Sequence, residues 1–219
     1  MSVGWDWGYV IEVLPELLRA TLITFRISLL GFAVALVVGL LIAIARMNRS
    51  GFISRPAEAF VEFVRLTPLL VQLFFVFYVL PELGVSLPPE PTGVLVIGLH
   101  YAAYVSEVIR SGIRAVATGQ WEAAIALSLP TLVVWQRVIL PQAIRPMMPA
   151  LGNYLIQMFK EVPLLSTITI YELLGTANLI ASSSFRYLET LTLVGFIFLI
   201  LSYPSSLLTR NLEVRIERK

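Results

Sequence analysis

Gly119-Gln120-Trp121-Glu122-Ala123-Ala124-Ile125-Ala126-Leu127-Ser128-Leu129-Pro130 runs on to Val138-Ile139-Leu140-Pro141-Gln142-Ala143-Ile144-Arg145-Pro146, the longest segment between two hydrophobic spans. Gln120 to Leu127 is made of helix formers, with Glu122 in the first turn, where the helix dipole favours an anion. Ser128-Leu129-Pro130 stops that helix, and Pro130 suits the first turn of a second one. Pro141 is expected to end the second helix, because proline lacks an N–H and clashes with the preceding turn. Arg114, Arg137 and Arg145 sit beside or inside the segment. The spacing therefore predicts two short helices joined by a turn, in a basic polar setting.

Composition fixes the surroundings. Of 219 residues 58% are hydrophobic and 14% charged, against about a quarter charged in soluble domains. Several windows exceed the 18 or so apolar residues that a helix needs to cross a bilayer. The chain reads as an all-α integral membrane protein forming one transmembrane domain over residues 1–219. With no cysteine, disulfides and thiolate chemistry are excluded, and His100 is the single histidine, so no metal site is expected. Lys160 and Lys219, the two lysines, stand outside any Gly-x-x-x-x-Gly-Lys-Ser/Thr loop. The chain is not a P-loop ATPase. Its first residues lack a basic stretch and a small-residue cleavage site, so no cleaved signal is expected. Trp5, Trp7 and Tyr9 suit an interfacial aromatic belt. Glu12, Glu16 and Arg19 suggest a short surface-lying helix before the first span.

Five spans are expected. The first runs from about Thr21 to Ala45, with Gly31 and Gly39 on one face for close helix contact. The second runs from about Ala57 to Val79 and is interrupted at Thr67-Pro68; Glu58, Glu62 and Arg65 line one of its faces. The third covers about Thr92 to Ile109. The fourth is discontinuous: Pro149 to Phe159, a break at Lys160-Glu161-Val162-Pro163, then Leu164 to Leu174, the kind of element transporters place around a site. The fifth runs from about Leu188 to Leu208. Basic residues fall after span one, in the Gly119 segment and in the tail (Arg210, Arg215, Arg218, Lys219), whereas the other loops carry Glu82, Glu90, Glu172 and Glu189 against Arg186. The positive-inside rule then puts the amino terminus outside and the carboxyl terminus inside.

The same residues carry a resemblance. Glu122-Ala123-Ala124, Ser128 four places on, and Val138-Ile139-Leu140-Pro141 resemble the EAA loop of ABC-importer permeases, here spanning about residues 115–146. Ser128 stands where the family usually has Gly, and Val138 where it usually has Ile. Glu62 to Gln72, with Arg65-Leu66-Thr67-Pro68-Leu69-Leu70-Val71-Gln72, resembles the Arg-Gly-Thr-Pro-Leu-Leu-Val-Gln stretch of the polar-amino-acid type, and Ala103 to Ile113 resembles its Ala-Tyr-x-Ala-Glu-x-x-Arg-x-Gly segment. Leu151-Gly152-Asn153-Tyr154 and Lys160-Glu161 resemble an Asn-x-x-Ile…Lys-Asp-Thr-Ser-Leu stretch. The resemblance covers about residues 14–208. Trp5-Asp6-Trp7, the Lys160-to-Leu165 stretch and Ala181 to Leu188 look most like permeases for ectoine and hydroxyectoine.

The resemblance implies a type I ABC-importer transmembrane fold in the bacterial cytoplasmic membrane. It implies a second permease subunit (a copy or a paralogue), two ATP-binding subunits that hold the ATP and magnesium, and an extracytoplasmic solute-binding protein. This chain itself has no cofactor and no catalytic residue. Gly119, Glu122, Ala123, Ala124, Ser128, Leu140 and Pro141 become the coupling residues. The substrate would be ectoine-like or a proteinogenic polar amino acid such as Gln, His, Arg, Glu or cystine.

Ionisable and polar groups inside spans point to the solute path, because they are costly in hydrocarbon unless paired or facing a polar cavity. Glu62, Arg65, Thr67 and Gln72 on span two qualify, as do Asn153, Gln157, Lys160 and Glu161 at the break in span four. The competing readings are structural: Glu62 and Arg65 pairing with each other, the span-four group resealing the broken backbone or joining two subunits, and His100 as an interhelical hydrogen-bonder. A lone ion-coupled secondary transporter is the rival function; such proteins often show inverted repeats and more spans. An intramembrane protease lacks its Gly-x-Ser-x-Gly nucleophile here.

Overall fold

The computed structural model describes residues 4–217, and these are entirely helical and connecting segments. Helix α1 (Trp7–Arg46) is 40 residues long and unbroken. The separate surface helix expected before the first span is absent: Pro15 lies inside α1, and no glycine or turn residue follows it to stop the helix. Asp6 caps α1, its side chain accepting from the N–H groups of Gly8 and Tyr9.

After α1 the chain makes α2 (Gly51–Leu66), then α3 (Leu69–Phe74), which continues through a π-turn and a 3-10 turn to Leu83. The second span is not one continuous helix. α2 and the Leu69–Leu83 segment meet at 107°, because Pro68 cannot donate and forces Thr67 into extended geometry, φ −106° and ψ 137°. α4 (Pro89–Arg114) crosses against α1. Among the described residues three helices are long and apolar enough to span unaided, and each of two bent pairs counts as a further crossing if taken as one span, giving up to five.

Hydrocarbon gives helices no hydrophobic reason to associate, so close packing at small residues does the work. Gly31 and Gly39 serve this purpose on α1, as their spacing predicts. A Cβ at Gly39 would sit 2.9 Å from Cβ of Val105 and 3.0 Å from the Ala102 carbonyl oxygen. The main core joins α1, α3, α4 and α7 (Leu140–Glu161) through Ile27, Leu73, Ile97, Tyr101, Val105 and Met158. A second core joins α1 to α8 (Leu173–Ser184) and α9 (Tyr187–Glu217) through Leu17, Leu173, Ala177 and Val194.

The two ends of the bundle differ in charge. Arg46, Arg65, Arg110, Arg114, Arg137 and Arg145 gather at the end bearing α5 (Thr118–Ala126). Asp6, Glu90 and Glu189, with Arg26 and Arg186, lie toward the other. Arg215, Arg218 and Lys219 of the expected basic tail carry side chains outside the described set.

Candidate functional site

α5 starts at Thr118, two residues earlier than expected, which leaves Glu122 in the second turn and exposed, beside exposed Ala123. The helix ends in a Schellman turn: the N–H of Ser128 donates to the Ile125 carbonyl at 2.9 Å and that of Leu129 to the Ala124 carbonyl at 3.1 Å. Ser128 takes φ 50°, the left-handed region. That geometry is why glycine suits the position.

Pro141 does not end the second helix. The chain turns helical at α6 (Thr131–Val133), passes through a π-turn over Val134–Ile139 and continues as α7 (Leu140–Glu161). Pro141 falls in the first turn of α7, straight after the π-turn, where the ladder is already re-registered and the missing N–H costs little. Pro146 and Pro149 also lie within α7. α5 is fastened to this rod by the edge-to-face pair Trp121–Trp135, centroids 5.3 Å apart, and by Gln142 donating to Gln120 at 3.2 Å. Ile139, Ala143 and Met147 form the apolar floor beneath. Ala124 is buried at this joint, whereas Gly119, Leu140 and Pro141 are exposed, as are Ile125 and Leu127 on the rim.

Farther along α7, Asn153, Gln157, Lys160 and Glu161 recur at helical spacing and share one face. The first three are exposed. Glu161 accepts from the buried Tyr101 hydroxyl at 2.9 Å and from Gln157 at 3.5 Å. Tyr101, Tyr104 and Tyr154 surround the same place with ring centroids 5.5–6.1 Å apart. The sequence reading missed these tyrosines; the i, i+3 spacing of Tyr101 and Tyr104, with Glu107 another three on, was the available signal. The break beyond Glu161 is a 3-10 segment (Val162–Ile168) ending at Thr169, φ 65°. The bend from the Thr131–Ile168 segment, 3-10 turn included, to Leu173–Ser184 is 49°.

Span two divides between two tasks. Gln72 reseals the Pro68 break: its amide donates to the carbonyls of Val64 (2.9 Å) and Thr67 (3.1 Å) and to the Thr67 hydroxyl (2.8 Å). Its carbonyl faces Nδ1 of His100 at 3.2 Å, so His100 is the interhelical hydrogen-bonder foreseen. Glu62 and Arg65 do not pair. Arg65 instead reaches Glu107 at 3.6 Å and lies over the Tyr104 ring, while Glu62 is exposed and makes no ion pair among the described residues. Glu107 also holds Arg46 (2.8 Å) and Arg110 (2.6 Å), three guanidinium groups on one carboxylate. A cavity of about 400 Å³ lies beside Glu107, bounded by Ser111, Pro146, Met147 and Tyr154. At the opposite end a cleft of about 560 Å³ is lined by Thr167, Tyr171, Asn178 and Ser182. Among the described residues there is no cluster able to hold a metal ion.

Residues 35–218 match the family described as binding-protein-dependent transport system inner membrane components. The chain belongs to this family. Its amino-acid type is marked by the relatives. It is 46% identical, over 98% of its length and 95% of the relative's, to a probable amino-acid ABC transporter permease, y4tG, of Sinorhizobium fredii. It is 36% identical over 95% of its length, and 90% of the relative's, to NocM, a nopaline transport system permease of Agrobacterium fabrum. A putative glutamine transport system permease, GlnP, of Rickettsia bellii is 33% identical over 95% of this chain and 97% of that one. The fold superposes on a crystal structure of an amino acid ABC transporter with histidines at a TM-score of 0.90 and 33% identity, covering 97% of this chain and all of the other. The MetNI methionine transporter shares the fold at a TM-score of 0.67. As an amino-acid ABC permease the chain is the inner-membrane component, and ATP hydrolysis belongs to a separate subunit.

Proposed function

We propose that this permease passes a zwitterionic, amino-acid-like solute inward along the face of α7 that carries Asn153, Gln157, Lys160 and Glu161. The observation behind this reading is the stripe itself: four polar or charged groups on one face of a crossing helix are costly against lipid and acceptable along a wet path. Glu161, steadied by Tyr101, offers a carboxylate to a cationic nitrogen. Arg65, half exposed beside Tyr104, offers a guanidinium to a carboxylate. Glu62, Thr67 and Gln72 line the approach on the α2–α3 side.

The arginine-rich end of the bundle faces the cytoplasm, by the positive-inside rule, in a five-span arrangement with the amino terminus outside. Gly119, Glu122, Ala123, Ala124, Ser128, Leu140 and Pro141 then meet an ATPase that holds ATP and magnesium. A second permease subunit completes the path, and an extracytoplasmic binding protein delivers solute at the far end. Ectoine and hydroxyectoine fit the paired charges, as does a proteinogenic polar amino acid; nopaline and glutamine are the solutes named for relatives.

Uptake by proteoliposomes holding the assembled transporter and its binding protein tests the reading. ATP-dependent accumulation of labelled solute is expected, with ectoine and single amino acids as competitors to identify it. Accumulation without ATP, driven by an ion gradient, would make the chain a secondary transporter.

A further inference from the structure

α2 has three distinct sides. Val61 and Val64 are buried against Ile42 of α1 and Ala103 of α4. All of its polar residues (Ser54, Arg55, Glu58, Glu62 and Arg65) fall together on a second arc of the helix. On the third side Phe52, Phe63 and Leu66 are 90%, 63% and 82% exposed, with nothing covering them.

The depth of α2 follows from one oxygen atom. Oε1 of Glu107 receives Arg46, the last residue of α1, at 2.8 Å and Arg65, in the last turn of α2, at 3.6 Å. The end of α1 and the last turn of α2 thus lie at similar depth, with only Met47–Ser50, at most about 14 Å of extended chain, to offset any rise along α2. A helix of this length, roughly 24 Å, does not cross the bilayer on such a path. The near-right angle of 107° to the crossing segment lays it along the surface instead. At that depth the apolar phase within reach of Phe52, Phe63 and Leu66 is the acyl region of the adjoining leaflet. Leu40, Leu41 and Ile44 near the end of α1 are exposed as well. Arg49 just ahead of α2 and Arg55 at the edge of its polar arc are both exposed, placed to reach lipid phosphates.

We propose that α2 is a membrane-surface helix seated in the leaflet on the coupling-segment side, with Phe52, Phe63 and Leu66 among acyl chains and Arg49 and Arg55 on anionic headgroups. That this leaflet is the cytoplasmic one rests on the orientation given above. Through Arg65 the seat of α2 is tied to Glu107 on α4, the helix that leads into α5, so the charge of the leaflet bears on the coupling end of the bundle.

Because the chain has no cysteine, single labelling sites are unambiguous. Phe52→Cys, Phe63→Cys and Glu58→Cys, each carrying a nitroxide, are placed in the full transporter in bilayers containing phosphatidylglycerol. Labels at 52 and 63 are expected to collide with oxygen several-fold more than with a water-soluble nickel chelate, and the label at 58 to show the reverse. Nickel access at 52 and 63 would put α2 in the cytosol; shielding from both reagents would mean that a protein partner covers it. Either result overturns the proposal. Leu66→Cys reads the same side if a phenylalanine variant fails to assemble. In the parent, uptake is expected to rise several-fold with the phosphatidylglycerol fraction, and Arg49→Gln with Arg55→Gln to flatten that rise; an unchanged rise removes the headgroup contacts. The nitroxide measurement needs no solute, so it stands or fails independently of the transport reading.

Discussion

Ser128 shows how one dihedral angle records a departure from the family pattern. A side chain in the left-handed region costs about 1–2 kcal/mol, yet the Schellman turn after α5 requires that conformation. Ser128→Gly is expected to stabilise the chain by about 1 kcal/mol, and Ser128→Val to destabilise it, both read as thermal melting of the purified protein. The departure itself was visible in the sequence; its sign came only with the angle. Asp6 is set by its partners rather than by a dihedral angle. The Arg186 guanidinium, at 2.7 Å, holds its carboxyl below the usual range, helped by the Tyr9 and Gly8 N–H groups. A lowered pKa gives stability that is present above the unfolded value, about 3.9, and is lost as the pH falls through the folded one. The melting difference between the parent and Asp6→Asn is therefore expected to be constant near neutrality and to shrink below about pH 4. Asparagine caps as well as aspartate, so a difference that persists at lower pH would mean that the effect does not come from the ionised carboxylate.

At the scale of elements, α8 is fixed by a residue that the charge pattern alone placed in a loop. Glu172 is completely buried and caps α8, accepting from the N–H groups of Gly175 (2.8 Å) and Leu174 (3.0 Å). Thr24 of α1 donates to Glu172 at 3.4 Å and accepts from the Leu173 N–H at 3.2 Å, which pins the two helices together. Glu172→Ala orphans buried donors and is expected to cost about 1–3 kcal/mol, measured by thermal melting. The positions and apolar character of α1, α4 and α9 were legible in the sequence, because a run of apolar residues long enough to cross a bilayer has few other uses. The joints were not. Pro68 and Pro141 look alike in sequence, yet the first turns the chain through 107° and the second lies inside a continuing helix. The difference lies in what precedes them. Thr67 is extended and Gln72 takes up the freed carbonyls, whereas the π-turn before Pro141 has already shifted the hydrogen-bond register. Likewise the candidate site residues were found wherever they sat on one helix, as Asn153, Gln157, Lys160 and Glu161 do. Spacing alone strings Tyr101, Tyr104, Glu107 and Arg110 along α4, but what other helices bring to them, Tyr154, Arg46 and Arg65, was not foreseen, since no local spacing encodes a contact between α1, α2, α4 and α7.

For the whole molecule the continuity of Thr131 to Glu161 is what matters. Some 31 residues, roughly 46 Å of helix, join the Trp121–Trp135 clasp at one end to Lys160 and Glu161 at the other. A push on α5 is delivered along this rod to the polar stripe with no flexible link between. Docking and transmission are then separable. Glu122 is exposed on α5 and outside the rod, so Glu122→Lys is expected to abolish ATP-driven uptake and release the ATPase on purification, with membrane insertion intact. Leu140→Gly combined with Pro141→Gly softens the rod just past the π-turn: glycine at 140 costs about 1 kcal/mol of helix, and glycine at 141 frees the dihedral that proline fixes. That variant is expected to keep the ATPase bound and hydrolysing while solute moved per ATP falls several-fold. Loss of both activities in step would mean that Leu140 and Pro141 serve docking only, and unchanged uptake per ATP would mean that force reaches the path by another helix, with α4 and its Glu107 cluster the remaining connection to α5.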